Sequence, residues 1–275
     1  MNYKGLTQTV EFSGIGIHTG EFSKVMLKPT NNNNVNFITE GKFISPNISN
    51  VVSTNRSTTI GIGDAKIFTV EHLMSALYCL YITGIDIIVE GKEIPAADGS
   101  ARVFVEKIVM SKIIDIPNEI KVVKINDLIK YQINDACYEV LPADSFIISC
   151  ELITDKSNFV NNQKLKIKIT PETYTSQIAY AKTFCYLEEV EHLLSSGFGR
   201  GGNFENVILI DRNKVINPEV LTYNDDECVR HKILDFLGDL SLTNLYYLAE
   251  FRIVNPSHYA NIEFCKQLLQ ILHSN

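Results

Sequence analysis

Three histidines and three acids stand out by type and spacing. In RHKILDFLGDL, residues 230–240, His231, Asp235 and Asp239 recur at every fourth position. Four residues along an α-helix advance only about 40° around its axis, so these three form one polar stripe. Ile233, Leu234, Phe236, Leu237 and Leu240 cover the other side. His231 and Asp235, at i and i+4, can reach a single point in space, as two ligands of one metal must. The same stripe suits a solvated face carrying an ordinary His–Asp pair, which is the commoner meaning of such a motif alone. A second segment, TVEHLMSAL at 69–77, sets His72 beside Glu71 at the start of a predicted helix. That pair could supply a third ligand and an adjacent carboxylate base, the set that a catalytic zinc site requires. Nothing in the sequence joins His72 to His231, and a histidine at a helix start also fits a capping or core role.

The other histidines sort unevenly. His258, in NPSHYAN, follows Pro256 at a predicted helix start, where it can face a cleft. His18, in the turn GIGIHTG, reads as structural, and His192 and His273 read as ordinary helix residues. The loop GFGRGGN resembles a phosphate cradle but lacks the spacing of a P-loop or a dinucleotide fingerprint, so it reads as a tight turn.

The elements that must hold these residues fall into two halves. In the first, strand-like runs VEFSGIGIHTG, KVMLKP and VNFIT precede a helix predicted over Thr69–Tyr81, with Thr69 as its cap. IDIIVEG reads as a buried strand, and PAADGSARVFVEKIVMSKII as a turn leading into a second helix. The segment Asp115–Glu119, with Pro117 and Asn118, marks a boundary that divides the chain into domains 1–116 and 117–275. Beyond it come strands EIKVVKI, ACYEVLP, SFIISCELI and KLKIKI, then helices at Pro171–Lys182 and Leu187–Leu194. After SGFGRGGN and the strand NVILID, two helices are expected at about Asp226–Ala249 and Ser257–Leu272. Strands and helices are segregated instead of alternating, so the expected class is α+β, with each half carrying strands plus two helices.

Length and composition fit this division. A chain of 275 residues supports about two domains. A net charge of −7 argues against a nucleic-acid partner held by a broad basic surface. No apolar run approaches the roughly 18–20 residues of a membrane span, so no transmembrane segment is expected. The N-terminal stretch has no apolar core of a signal peptide. Six scattered cysteines without a C-x-x-C read as free thiols, and the expected location is the cytoplasm.

Taken in order, GIGIHTG, TVEHLMSAL, IPAADGSARVFV, AKTFCY, GFGRGGNFENVILID and RHKILDFLGDL span nearly the whole chain. Together they resemble the bacterial UDP-3-O-acyl-N-acetylglucosamine deacetylases, the zinc amidases of lipid A biosynthesis. The resemblance implies Zn²⁺, with Fe²⁺ an alternative for a His₂Asp set, held by His72, His231 and Asp235. Glu71 would be the general base, His258 the protonated acid, and Asp239 its orienting partner. Lys232 would face the substrate's phosphate or carbonyl, Thr183 would donate to the tetrahedral oxyanion, and Phe184 would pack on sugar or acyl chain. The implied fold has two α+β domains, each a mainly antiparallel sheet with two helices, the helices sandwiched between the sheets. An insert at about 185–211 would form the acyl passage, including Leu187, Val190, Leu193, Leu194 and Phe198.

The implied reaction removes acetate from an acylated UDP-amino-sugar, by a protein expected to be a monomer. Alternatives are a deacetylase of another acylated amino sugar, or a catalytically silent homologue that binds acylated UDP-sugars. Zn²⁺, Lys232 and His258, with Arg200, would form a compact positive cluster for a diphosphate despite the acidic total. Two departures bear on substrate choice. Ser257-His258-Tyr259-Ala260-Asn261 stands where the family usually has Gly before the histidine and H-A-L-N from it, and the residues after TNRSTT are only partly alike.

Overall fold

The computed structural model describes residues 2–274. In the first half, strands Val10–Ile15, Phe22–Pro29, Ile85–Glu90, Val35–Thr39 and Lys42–Ile44 lie side by side in that order. Their alternation works as period-2 patterning should: Val25, Leu27, Ile85, Ile87 and Val89 turn inward. Helix α1, Glu71–Cys79, is buried along its whole length, and α2, Arg102–Met110, sets Phe104 edge-on against Phe12 at 5.0 Å. A smaller sheet of Val51–Ser53, Thr59–Ile62 and Ala65–Ile67 leads into α1.

The second half is built on strands Ile129–Ile133, Ala136–Pro142, Tyr246–Val254, Phe146–Glu151 and Lys164–Lys168 in spatial order. Helix α3, Pro171–Gln177, starts at a Thr170–Thr173 capping box with Pro171 behind it. A short α4, Val190–Ser195, lies between strands Phe184–Tyr186 and Ile208–Ile210, which pair in parallel. The long α5, Glu227–Ser241, packs on α1, and α6, His258–Ser274, stacks Phe264 on Tyr138 at 4.5 Å. The α1–α5 crossing is close because Gly238 has no side chain. A Cβ there would lie 2.2 Å from the Glu71 carbonyl oxygen. The architecture is α+β with mostly antiparallel sheets, as expected. Among the described residues no helix is long and apolar enough to cross a membrane.

Several local expectations need correction. The helix expected over Asp226–Ala249 ends at Ser241, and Tyr246–Val254 is the central strand of the second sheet. Asn244, at φ 57°, makes the break, and the strand bonds to neighbours on both sides. The helix expected to run to Lys182 stops at Gln177, and Leu187–Glu189 is a 3₁₀ turn ahead of α4. Residues 115–119 belong to a strand, Ile113–Glu119, antiparallel to Asn2–Leu6. Thr69 does not cap α1. It sits at φ 60°, and its hydroxyl donates to Glu93 Oε1 instead, at 2.8 Å.

Candidate active site

The polar stripe of α5 faces inward against α1, with His231, Asp235 and Asp239 all buried. The first turn of α1 brings Glu71 and His72, also buried, to the same point. His72 Nε2 lies 3.6 Å and His231 Nε2 3.3 Å from Asp235 Oδ1. One donor atom from each of the three residues lies within 4.8 Å of the other two. Asp235 Oδ1 is buried with no hydrogen-bond partner, which fits an oxygen that ligates a cation. Its Oδ2 accepts from Lys232 Nζ at 2.9 Å. The His231 Nδ1–H donates to the Ala181 carbonyl at 3.0 Å, which turns the Nε2 lone pair toward the cluster. Two imidazole nitrogens and one carboxylate oxygen, uncovered and converging, fit a divalent transition metal.

Charges follow from this packing. Burial pushes His231 down to about 3, keeping it the neutral imidazole that a ligand must be. Burial alone would raise Asp235, but the positive charges of Lys232 and His258 outweigh it and hold the carboxyl well below the usual range.

A second pair stands beside the cluster. His258, the first residue of α6, places Nε2 3.7 Å from Glu71 Oε1. Burial raises Glu71 to about 7 against the opposing pull of His258 and His72. For His258, burial works downward, but Asp239, Glu71 and Asp235 prevail and raise it to about 9. The His258 Nδ1–H donates to Asp239 Oδ2 at 2.9 Å. Asp239 also accepts from Thr58 Oγ1 at 2.5 Å and from Asn261 Nδ2 at 2.8 Å. Asn261 is held in turn by the Tyr138 hydroxyl at 2.7 Å. The Thr58 N–H donates to Glu71 Oε2 at 3.0 Å, so one threonine touches both Glu71 and Asp239.

Thr58, Asn261 and Tyr138 were not foreseen. Only Asn261 left a trace in sequence, at i+3 from His258 on one helix.

The cluster opens into a cleft of about 640 Å³. Thr183 lines it, its backbone pinned by Gly99 O and Ile208 N, both at 2.9 Å. Phe184 also lines it, with Lys232 Nζ 5.4 Å from its ring centre. Val190, Leu193 and Leu194 form part of the apolar wall, joined by Phe204 and Val207 from the same insert. Leu187, Phe198 and Arg200 are not among the lining residues. Leu187 is exposed, while Phe198 sits edge-on to His18 at 5.5 Å. Arg200 uses its backbone N–H on the His18 carbonyl at 3.3 Å. The cleft cations that the sequence left unmarked are Arg56 and Lys156, both paired with Glu189. His18, read from the sequence as structural, is among the residues that line the cleft.

Comparison with known proteins bears on this geometry. Residues 3–270 match the LpxC family model, described as UDP-3-O-acyl N-acetylglycosamine deacetylase. The chain belongs to that family. Among its relatives is the UDP-3-O-acyl-N-acetylglucosamine deacetylase of Lawsonia intracellularis (strain PHE/MN1-00), 36% identical over 273 residues, covering 98% of this chain and 89% of the relative. The enzyme of the same name from Aquifex aeolicus (strain VF5) is 35% identical over 96% of this chain and 93% of its own length. That from Chlamydia pneumoniae is 34% identical over 97% and 96%. The match to the deacetylase family takes in both halves, so it includes every residue brought together in the cleft.

Proposed function

We propose that this protein is a metal-dependent amide hydrolase that removes acetate from UDP-3-O-acyl-N-acetylglucosamine in lipid A biosynthesis, with zinc as the metal and ferrous iron as its chemical alternative. The observation that carries the reading is the buried, unpartnered Asp235 Oδ1 facing two imidazole nitrogens, with a carboxylate and a histidine beside them. When bound by His72, His231 and Asp235, the ion supplies Lewis acidity for the carbonyl and lowers the pKa of water.

The protein's own groups carry the protons. Glu71, in its ionised form, takes one from the water that attacks the acetamide carbon. The Thr183 hydroxyl, at the cleft wall, donates to the oxygen on which negative charge develops. As the C–N bond breaks, His258 Nε2–H gives its proton to the departing amine. Asp239 keeps the imidazolium oriented through Nδ1, and Thr58 holds Glu71 by its N–H. Lys232 spends one donor on Asp235 and has others for a phosphate or carbonyl oxygen. Phe184 and the apolar wall of Leu193 and Leu194 suit a sugar face and an acyl chain.

Thr58, Glu71 and His72 come from the 1–116 unit and the other groups from 117–275, so the site is read as a seam between two domains. Six free cysteines suit a reducing location, the cytoplasm. Metal analysis combined with acetate release from an acylated UDP-glucosamine derivative tests the reading. Stoichiometric zinc without turnover on any acylated UDP-sugar would favour the binding-protein alternative. Failure of the intact protein to bind a divalent metal would overturn the proposal.

A further inference from the structure

Outside the cleft, one buried carboxylate ties together parts of the site that the chemistry has not yet connected. Glu93 is 1% exposed. Its Oε1 accepts from the Thr69 hydroxyl at 2.8 Å and the His18 N–H at 3.0 Å. Its Oε2 accepts from the Thr19 N–H at 2.8 Å and the Thr19 hydroxyl at 2.7 Å. All four donors are neutral, and two are consecutive backbone N–H groups that form an anion-holding nest. Gly16 lies against this carboxylate, where a Cβ would be 2.2 Å from Oε2.

The two sides of this clamp lead to different functions. Thr69 is a β-branched residue at φ 60°, a conformation that persists only where its surroundings impose it. It stands two residues before Glu71 and three before His72, so its backbone sets the direction in which α1 begins. On the other side, His18 lines the cleft and its ring meets Phe198 edge-on. Its turn also receives the glycine-rich segment of the insert, through Arg200 N–H to His18 O at 3.3 Å and Gly201 N–H to Ile17 O at 3.0 Å.

We propose that Glu93 is a positioning residue for the reaction, its carboxylate fixing both the lead-in to Glu71–His72 and the cleft wall that carries His18 and the insert's glycine-rich turn. This rests on the hydrolase reading given above. Thr69 is then the arm that governs metal affinity and kcat, and Thr19 the arm that governs how the acylated substrate is held.

The test uses full-length protein, read by zinc competition against a chelator and by acetate release. Glu93→Gln keeps the shape but, in either orientation, turns its amide N–H₂ toward a backbone N–H, of His18 or of Thr19, which can only donate. It should weaken zinc and lower kcat by about tenfold or more, as loss of a supporting hydrogen bond around a metal site does. Thr69→Val should lower kcat and zinc affinity with KM unchanged, and Thr69→Ser should restore both to within about twofold of wild type. Thr19→Val should raise KM for the acylated substrate while leaving zinc affinity unchanged. If Glu93→Gln does not fold, the Thr69 pair decides the matter. Wild-type zinc affinity and kcat in Thr69→Val, or equal damage in Thr69→Ser, would overturn the inference. A wild-type protein that binds zinc but releases no acetate would refute the hydrolase reading alone, because zinc competition in the variants would still report Glu93's hold on α1.

Discussion

Replacing Gly238 with alanine probes the contact on which the whole site depends. The added Cβ would lie 2.2 Å from the Glu71 carbonyl oxygen and 2.8 Å from its carbon. An ordinary carbon–oxygen contact is about 3.3 Å, so α5 and α1 must move apart by about 1 Å. Backbone, not a flexible side-chain tip, stands in the way. For stability the change is modest: overpacking costs about 1–3 kcal/mol, and alanine's better helix propensity offsets about 1 kcal/mol. The net loss of about 0–2 kcal/mol lowers Tm by only a few degrees in a chain of this size. The site is far less tolerant. Metal–ligand distances hold to about ±0.2 Å, and a misplacement of about 1 Å costs on the order of 100-fold in rate. Gly238→Ala should therefore stay folded by circular dichroism, lose Tm slightly, and fall by about 100-fold in kcat/KM with weakened zinc in chelator competition. A variant that kept wild-type zinc affinity and turnover would show that the helix crossing does not set the geometry of the site.

Further outcomes follow from the same arrangement. Asp235→Asn removes the charged ligand while keeping its shape, and should leave the protein with substoichiometric zinc by metal analysis after dialysis. The Glu71–His258 pair gives kcat/KM a bell shape: activity rises as Glu71 loses its proton near pH 7 and falls as His258 loses its own near pH 9. Rates flat from about pH 5 to 9 in both Glu71→Gln and His258→Ala would refute that division of labour. Asn261→Ala strips buried Asp239 of one donor and leaves the Tyr138 hydroxyl unpaired, so denaturant unfolding should report a loss of about 1–3 kcal/mol together with a lower kcat.

What could be read beforehand was whatever a single helix encodes. The four-residue recurrence of His231, Asp235 and Asp239 is a property of α5 itself, and α5 keeps it. The strand Tyr246–Val254 was misread because the LYYL at its start is apolar at every position and hides the alternation that follows, in which Ala249, Phe251 and Ile253 turn inward while Glu250 and Arg252 pair with each other on the opposite face. No glycine or proline separates it from α5, and the break rests on Asn244 in the left-handed region. Thr69 has the right residue type for a cap but faces a buried acid 24 positions downstream. Thr58 meets Asp239 across 181 residues, a contact that no local pattern can carry.

The seam has a consequence for how the molecule lasts in a cell. A metal held, as proposed, by His72 of α1 and by His231 and Asp235 of α5 would act as a clasp between the two halves. Any free ion at 100 times its dissociation constant adds about 2.7 kcal/mol to the closed form. Metal depletion therefore removes more than activity. It would loosen the packing of α5 on α1, where the buried His72, His231 and Asp235 meet, and opening there would expose backbone that proteases cut. On the proposed reading, protein abundance would follow metal supply, with starved enzyme cleared instead of stored.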